Sequence, residues 1–260
     1  MRAGLSDADF ARQLATSAGE RLVSLRESRP DADRDTLKTQ GDQLAHRHLM
    51  LLLQTWRPED AVLSEEGVAE ETEATKAARL AAHRSWIVDP LDGTREFSEG
   101  RDDWAVHVAL AVDGVAVLGA VALPAHGITL STWAPPTLAP PHAGPPRFVI
   151  SRTRPPAEAL AVAGEFGGEL IEMGSAGAKA MAVVRGEADV YPHSGGQYEW
   201  DSCAPVAVAE AAGLHCSRLD GSALVYNRPD PYLPDLLICR PEDAPAALAA
   251  AGAHTGGTGR

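Results

Sequence analysis

The residues best suited to chemistry lie in one short segment, Asp89-Pro90-Leu91-Asp92-Gly93-Thr94. Its two aspartates stand three positions apart, and Pro90 fixes one φ angle between them, so the carboxylates are held in place before any ion arrives. Gly93 lets an anion approach the backbone closely, and a helix that begins at Thr94 directs its free N–H groups towards that anion. Carboxylate oxygens suit Mg²⁺, which also accepts phosphate oxygens as ligands. The segment indicates a site for a metal ion and a phosphate, although an Asp-Pro turn that only caps a helix has the same composition.

Two further acidic segments also lie at the end of a predicted strand or the start of a predicted helix. Ser64-Glu65-Glu66 follows the apolar run 61–63, and Trp200-Asp201 opens a predicted helix. Each has an ordinary explanation, since a glutamate pair is usually solvated and an aspartate at the start of a helix is usually an N-cap. Together with the 89–94 turn, they supply carboxylates from three strand or helix ends. We therefore predict that the three segments meet in one metal site.

The overall charge narrows the class of partner. The chain carries 23 Lys and Arg residues against 36 Asp and Glu residues, which gives a formal net charge of -13. Such a surface repels a nucleic-acid polymer, so a DNA- or RNA-binding module is not expected. It also repels a small anionic substrate unless local cations offset the field, and a bound divalent metal would do so.

The sequence shows no sign of membrane insertion or secretion. It contains no run of eighteen apolar residues, and its polar, acidic start MRAGLSDADF differs from a secretory signal. We therefore expect no membrane partner and a cytoplasmic location. Cys203, Cys216 and Cys239 have spacings that fit neither a zinc site nor a disulfide framework, so we expect buried free thiols. Cys203 lies close to Asp201 in sequence, but nothing in the sequence assigns it a role.

The elements around these residues predict an α/β fold, an α+β layered sandwich. In the first half we predict an amphipathic helix over 6–27 capped by Ser6, a second helix from Asp42 that ends before Pro58, and a hairpin over 104–123 that turns at Asp113-Gly114. Short strands are predicted at 61–63 and 86–88. The second half alternates strands at 148–150, about 170–171, 188–191 and 236–238 with helices after Pro156, from Ala176 and over 201–212.

A proline-rich segment marks the clearest boundary. Residues 134–146 contain six prolines in thirteen positions, so they cannot form a helix or a central strand. We predict an N-terminal α+β domain at 1–133 that carries Glu65 and the metal turn, a connector at 134–146, and a C-terminal α/β domain at 147–260 that carries Lys179 and Asp201. The last ten residues, AGAHTGGTGR, are predicted to form a frayed tail.

Three motifs together resemble a known family. SEEG at 64–67, DPLDGT at 89–94 and WDSCAP at 200–205 match, in order and spacing, the acidic pair, DP[IL]DGT and WD motifs of the inositol monophosphatase superfamily. These lithium-sensitive, magnesium-dependent phosphatases include inositol monophosphatases, bisphosphate nucleotidases and some fructose-1,6-bisphosphatases. The resemblance spans residues 8–240 and implies their αβαβα architecture, phosphoric monoester hydrolysis and two or three Mg²⁺ ions; a homodimer is compatible with it. One departure is Ser202-Cys203-Ala204-Pro205, where the family usually has small residues ending in glycine.

The resemblance also implies roles for individual residues. Glu65, Asp89 and the backbone carbonyl of Leu91 would hold one Mg²⁺, and Asp89, Asp92 and Asp201 would hold the second. Glu65 and Thr94 would orient the attacking water, while Asp42 would hydrogen-bond to Thr94 and help with a third ion. No covalent phosphoenzyme is expected.

Two segments bear on the substrate. Arg95-Glu96-Phe97 and Gly174-Ser175-Ala176-Gly177-Ala178-Lys179 are most similar to CysQ-type 3′(2′),5′-bisphosphate nucleotidases, which remove the 3′-phosphate of 3′-phosphoadenosine 5′-phosphate, a by-product of sulfate assimilation. The implied substrate contacts are Gly93, Thr94, Arg95, Gly174, Ser175 and Lys179. Residues 191–199 would form another pocket wall, where Tyr198 or His193 could stack on a base. Inositol 1-phosphate or fructose 1,6-bisphosphate is the alternative substrate, and a non-catalytic binding protein on the same fold is a remoter one.

Overall fold

A computed structural model describes residues 4–255 of the chain. The helices in this part are α1 (Asp7–Ser28), α2 (Arg34–Trp56), α3 (Glu73–Ala81), α4 (Thr94–Ser98), α5 (Ala157–Glu165), α6 (Ala176–Val184), α7 (Glu199–Ala211) and α8 (Ala244–Thr255). The strands are β1 (Ala61–Ser64), β2 (Arg84–Asp92), β3 (Ala105–Val112), β4 (Val115–Leu123), β5 (Ile128–Ser131), β6 (Arg147–Ser151), β7 (Glu169–Met173), β8 (Val190–Tyr198), β9 (His215–Ser217) and β10 (Tyr232–Cys239). Short 3₁₀ turns cover Glu65–Glu70 and Pro124–His126.

These elements stack in five layers. Helices α1 and α2 cover one face of a first sheet with strand order β1-β2-β3-β4-β5, and α6 and α7 cover its other face. The same two helices pack on a second sheet, of order β7-β6-β8-β10-β9, whose far face carries α5 and α8. This is the expected αβαβα layered architecture. Because the middle helices are buried between two sheets, α6 is apolar except for Lys179, and every one of its residues is buried.

An irregularity in the first sheet shapes the predicted metal turn. Strand β2 runs parallel to β1 and antiparallel to β3, and Asp89 pairs with His107 while Asp92 pairs with Ala105. Three steps along β2 therefore face two steps along β3, which is a β-bulge at Pro90-Leu91. Proline has no N–H for the ladder and is tolerated at a bulge. Side chains on a regular strand alternate between its two faces, so residues three positions apart point to opposite faces. The extra residue of the bulge offsets this alternation, and Asp89 and Asp92 therefore reach the same side of the sheet.

Most predicted elements are present. Ser6 caps α1 by accepting a hydrogen bond from the Asp9 amide, and Asp113 and Gly114, both at positive φ, join β3 to β4. Residues 134–146 contain neither a helix nor a strand. The two sheets lie at 61–131 and 147–239, but one hydrophobic core cluster includes residues from both, and the division into two domains stays a prediction. Within residues 4–255, no helix is long and apolar enough to span a bilayer.

The predicted start of the second helix is wrong. Helix α2 begins at Arg34, where Asp33 caps it by accepting from the Thr36 amide, so Asp42 lies inside the helix. Gly41 also lies inside the helix and allows close packing, since a Cβ there would lie 2.9 Å from Leu91 Cδ2. Pro205 likewise lies inside α7, which begins at Glu199 rather than Asp201.

Two other boundaries differ in the second half. Strand β8 starts at Val190 and continues to Tyr198, past Gly195 and Gly196, whose positive φ angles the strand accommodates. The predicted tail is partly helical, because α8 extends to Thr255 and buries Ala250 and Ala251. Residues 256–260 of that tail lie outside the described residues.

Candidate active site

Three carboxylates meet where β2 ends and α7 begins. One oxygen from each of Asp89, Asp92 and Asp201 lies within 4.8 Å of the others. Asp89 and Asp92 come from the bulged end of β2, and Asp201 comes from the first turn of α7, where it accepts a hydrogen bond of 2.7 Å from the Tyr198 amide. The oxygens have the chemistry and spacing that a small hard cation requires.

Asp92 is fixed in its ionised form. The amides of Ala176 and Gly177 donate to its carboxylate over 3.1 and 2.6 Å, the Ser175 hydroxyl donates as well, and Nε2 of His107 lies 3.1 Å away. Burial opposes ionisation, but the His107 charge and these hydrogen bonds outweigh it and lower the pKa of Asp92 to about 2. Asp92 therefore contributes a permanent negative charge, bonded to the N-terminus of α6.

The other members of the cluster are crowded by like charge. Burial, followed by the charges of Glu65 and Asp92, raises the pKa of Asp89 well above its ordinary value. Burial and the charge of Asp92 raise the pKa of Asp201 to about 7. Such carboxylates resist ionisation unless a cation compensates them. This uncompensated charge, with oxygen as the only ligand atom, fits a divalent metal site.

Glu65 lies at the edge of the same cluster. It begins the 3₁₀ turn after β1, and its charge is one of the causes that raise the pKa of Asp89. The residue is exposed towards the open side of the site, but removal of its carboxyl from bulk water and the charge of Asp201 raise its pKa to about 8. Glu65 does not belong to the three-carboxylate group, although it lines the same cavity.

Thr94 links the turn to α2. Its hydroxyl lies 3.0 Å from the Leu91 carbonyl and 3.4 Å from Oδ1 of Asp42. Burial and the charge of Glu66 raise the pKa of Asp42 to about 7. Gly93 has a φ of +86°, and a Cβ there would lie 3.0 Å from the Ser175 side chain, so the turn requires glycine. The structure therefore brings Asp42, Thr94 and the carboxylate cluster together.

The cluster opens into a cavity of about 280 Å³. Its lining includes every proposed substrate residue, namely Gly93, Thr94, Arg95, Gly174, Ser175 and Lys179. Within the Arg95-Glu96-Phe97 segment only Arg95 is exposed, because Glu96 pairs with Arg152 over 2.6 Å and Phe97 packs against Trp104. Arg95 is therefore the member of this segment that is free to meet a ligand.

Lys179 and Ser175 have structural bonds as well. Lys179 is 3% exposed, donates to the carbonyls of Gly174 and Ser175, and lies over the Tyr191 ring. Burial lowers its pKa to about 8. The Ser175 oxygen caps α6 by accepting from the Ala178 amide over 2.9 Å. Both residues thus hold the start of α6 against Asp92, besides lining the cavity.

Two residues of the site, Arg154 and His107, were not predicted from the sequence. Arg154 follows β6 and lines the cavity as an exposed cation; neither it nor Arg95 forms an ion pair or a side-chain hydrogen bond within residues 4–255. His107, in β3, contacts Asp92 and lies 2.9 Å from the Trp200 carbonyl. Gln197 and His193, from β8, also line the cavity; both lie in the stretch 191–199 that was predicted as a pocket wall, where only base stacking was suggested for His193. Arg154 follows a strand end, as the acidic segments do, and that pattern was a usable signal.

Tyr198, which the sequence suggested as a base-stacking residue, contacts another aromatic ring of the protein. Tyr198 stacks on Trp200, with ring centroids 4.8 Å apart, and is not among the residues that line the cavity.

The three cysteines are free thiols as expected; Cys203 and Cys239 are buried, and Cys216 is half-buried.

Comparisons with known proteins agree with this geometry. Residues 6–135 and 150–255 match the model of the inositol monophosphatase family, and the unmatched stretch contains most of the proline-rich segment. A 3′-phosphoadenosine 5′-phosphate phosphatase from Mycobacterium leprae is 48% identical over 260 residues, which cover 95% of this chain and 94% of that protein. The 3′(2′),5′-bisphosphate nucleotidase CysQ of Escherichia coli K12 is 30% identical over 236 residues, 85% of this chain and 94% of that protein. The crystal structure of CysQ from Bacteroides thetaiotaomicron superimposes with a TM-score of 0.76 at 26% identity, covering 88% of this chain and 95% of that one.

Proposed function

The chain belongs to the inositol monophosphatase family of metal-dependent phosphatases, and we propose that it removes the 3′-phosphate of 3′-phosphoadenosine 5′-phosphate. The observation that carries the substrate class is the distribution of charge in the cavity. A carboxylate cluster suited to a metal lies at one end, and the cations Arg95, Arg154 and Lys179 line the same cavity in a protein of net charge -13. In a substrate with two phosphates, one phosphate binds at the metal held by the carboxylate cluster and the other binds the cations.

The donor set supports Mg²⁺ as the cofactor. Glu65, Asp89 and the Leu91 carbonyl would hold one ion, Asp89, Asp92 and Asp201 would hold a second, and Asp42 would assist a third. When bound, the ions neutralise charge on the transferring phosphate and lower the pKa of a water molecule. The protein's own contribution is to hold these oxygens close together before the ions arrive.

The remaining groups position water and substrate. Thr94 donates to Asp42 or to Leu91, so its oxygen lone pairs stay available to accept a hydrogen bond from an attacking water molecule. Glu65, whose carboxyl binds protons readily near neutral pH, faces the same cavity and would orient that water with Thr94. The water would attack phosphorus directly, so no covalent phosphoenzyme forms. The N–H groups at Gly93 and Thr94 face the phosphate, and Arg95 and Arg154 hold the second phosphate.

The reaction product tests this assignment. Purified protein with Mg²⁺ and 3′-phosphoadenosine 5′-phosphate is followed by ³¹P NMR. The proposal predicts adenosine 5′-phosphate and inorganic phosphate, and no reaction in excess EDTA. Adenosine 3′-phosphate as the product, or no turnover, would contradict it. A cytoplasmic location and a homodimer remain predictions from sequence.

A further inference from the structure

One wall of the cavity contains polar groups that the proposed chemistry does not use. Strand β8 forms this wall, and two of its side chains are almost fully buried there: His193 is 8% exposed and Gln197 is 4% exposed. Both line the cavity beside Lys179 and Arg154. Neither belongs to the carboxylate cluster or to the Thr94 contact.

The hydrogen bonds of His193 define its tautomer. Nε2 lies 2.9 Å from the Gly195 carbonyl oxygen, and since a carbonyl only accepts, Nε2 carries the proton. Burial and the positive charge of Lys179 lower the pKa of His193 to about 4, so the ring is neutral near pH 7. Nδ1 is then a bare acceptor, and it has no hydrogen-bond partner in the described part of the chain.

Gln197 repeats this arrangement. Its amide nitrogen donates to the Tyr191 hydroxyl over 2.7 Å, and its Oε1 is buried with no partner among residues 4–255. A buried acceptor that stays unpaired costs about 1–3 kcal/mol. Two such acceptors on one strand of a cavity wall indicate that a ligand provides the missing donors.

The chemistry of these acceptors excludes a phosphate as their partner. A bare nitrogen and a carbonyl oxygen repel phosphate oxygens, whereas they match an O–H or an N–H group. The groups that attract phosphate are the cations Arg95, Arg154 and Lys179 and, once it holds a metal ion, the carboxylate cluster. The cavity therefore has anion-binding groups on one side and, on the β8 wall, groups that accept hydrogen bonds from neutral donors.

We propose that His193 and Gln197 select substrates that carry a neutral hydrogen-bond donor, either a sugar hydroxyl or the exocyclic amine of a purine, in addition to their phosphates. This inference rests on the proposed function and adds a specificity-determining wall to it.

The test combines two variants with two substrate derivatives. His193→Phe keeps a ring and Gln197→Met keeps the chain length, and each removes one acceptor. The matched control, Tyr191→Phe, removes the hydroxyl that binds the Gln197 amide nitrogen and leaves both acceptors. The substrates are 3′-phosphoadenosine 5′-phosphate, its 2′-deoxy derivative without the sugar hydroxyl, and 3′-phosphoinosine 5′-phosphate without the amine. Both kcat and KM are measured with Mg²⁺.

A lost hydrogen bond of this kind corresponds to about a tenfold change in KM. For the wild type, we expect KM to rise by about that factor for one derivative, which identifies the hydroxyl or the amine as the donor. In His193→Phe or Gln197→Met, KM for the parent nucleotide rises similarly, and the deficient derivative suffers no second loss. Tyr191→Phe leaves the ratio of KM values between substrates unchanged.

Three results would overturn the inference. They are equal KM values for all three nucleotides in the wild type, losses that add in the variants, and a Tyr191→Phe variant with the same selective loss. The wild-type comparison stands even where a variant does not fold. Failure of the proposed function would look different, because the wild type would then not hydrolyse the parent nucleotide at all, and both proposals would be wrong.

Discussion

The amide nitrogen of Gly177 lies 2.6 Å from Oδ2 of Asp92, which bonds the N-terminus of α6 to the bulged end of β2. The contact unites the middle helices with the first sheet at the carboxylate cluster. A Cβ at position 177 would lie 2.0 Å from Nε2 of His107, so glycine is needed for this approach. Because Asp92 serves both the cluster and this junction, a change there alters two things at once, and Asp201 is the cleaner probe.

Asp201→Asn should abolish activity and reduce the dependence of stability on pH. The pKa values of Asp201 and Glu65 are raised from 3.8 and 4.5 to about 7 and about 8, so the folded state binds more protons than the unfolded chain across that range. The free energy of unfolding of the metal-free protein therefore falls as pH rises from 5 to 8. We expect a smaller fall in Tm for Asp201→Asn, with Mg²⁺-dependent kcat/KM lowered at least about 100-fold. Thermal unfolding in EDTA at both pH values measures this, and an identical fall in the two proteins would refute it.

Thr94→Ala should act on kcat rather than on KM. The hydroxyl lies between Leu91 and Asp42, and in the proposed function it orients the attacking water. Loss of one such group typically lowers the rate by about 10²–10³-fold. The control Thr94→Ser keeps the hydroxyl and should retain most of the rate. Steady-state kinetics on one substrate give kcat and KM for both variants. A Thr94→Ser variant as slow as Thr94→Ala would contradict the role of the hydroxyl.

Arg154→Ala should lower kcat/KM selectively for substrates with two phosphates. Arg154 is an exposed cation of the cavity without an ion-pair partner within residues 4–255, and a charged hydrogen bond contributes about 1.5–3 kcal/mol. The ratio of kcat/KM for 3′-phosphoadenosine 5′-phosphate to that for inositol 1-phosphate should fall by about tenfold or more. Arg47→Ala, at an exposed arginine of α2 outside the cavity, is the matched control. Lys179→Ala is less informative, because Lys179 also holds the Gly174 and Ser175 carbonyls. An unchanged ratio in Arg154→Ala would remove Arg154 from the second-phosphate site.

Gly119→Ala should destabilise the protein through the packing of α7 on the first sheet. A Cβ there would lie 2.9 Å from the backbone of Ala204, which cannot move aside cheaply, and overpacking of this kind costs about 1–3 kcal/mol. Gly164→Ala is the control, since nothing lies within 4 Å of its added Cβ and it occupies helix α5. Urea unfolding should show a lower midpoint for Gly119→Ala and an equal or higher one for Gly164→Ala. Equal midpoints in the two variants would contradict the packing argument.

The parts of the site that could be predicted are those encoded by local pattern. Asp89, Asp92, Glu65 and Asp201 each stand at a strand or helix end, and residue type with spacing suffices to identify them. The contact of Asp42 with Thr94 depends on where α2 crosses the turn, and it was expected only by resemblance.

The remainder depends on contacts between distant segments. The bonds from α6 to Asp92 join residues more than eighty positions apart, and no local spacing indicates them. Arg154 reaches the cavity only because the two sheets stack around the middle helices. Pro192 with Gly195-Gly196 resembles the end of a strand, so the extent of β8 was missed, and the predicted pocket wall at 191–199 gave Gln197 no contact of its own.

Relative kcat/KM values test most directly whether the carboxylate cluster, with its metal bound, serves a nucleotide bisphosphate. Wild-type protein with Mg²⁺ is assayed on 3′-phosphoadenosine 5′-phosphate, inositol 1-phosphate and fructose 1,6-bisphosphate, each with and without millimolar lithium. The account predicts the highest kcat/KM for the nucleotide and inhibition by lithium on all three. A higher kcat/KM for inositol 1-phosphate or fructose 1,6-bisphosphate would contradict the substrate assignment, and Mg²⁺-independent turnover would contradict the site itself.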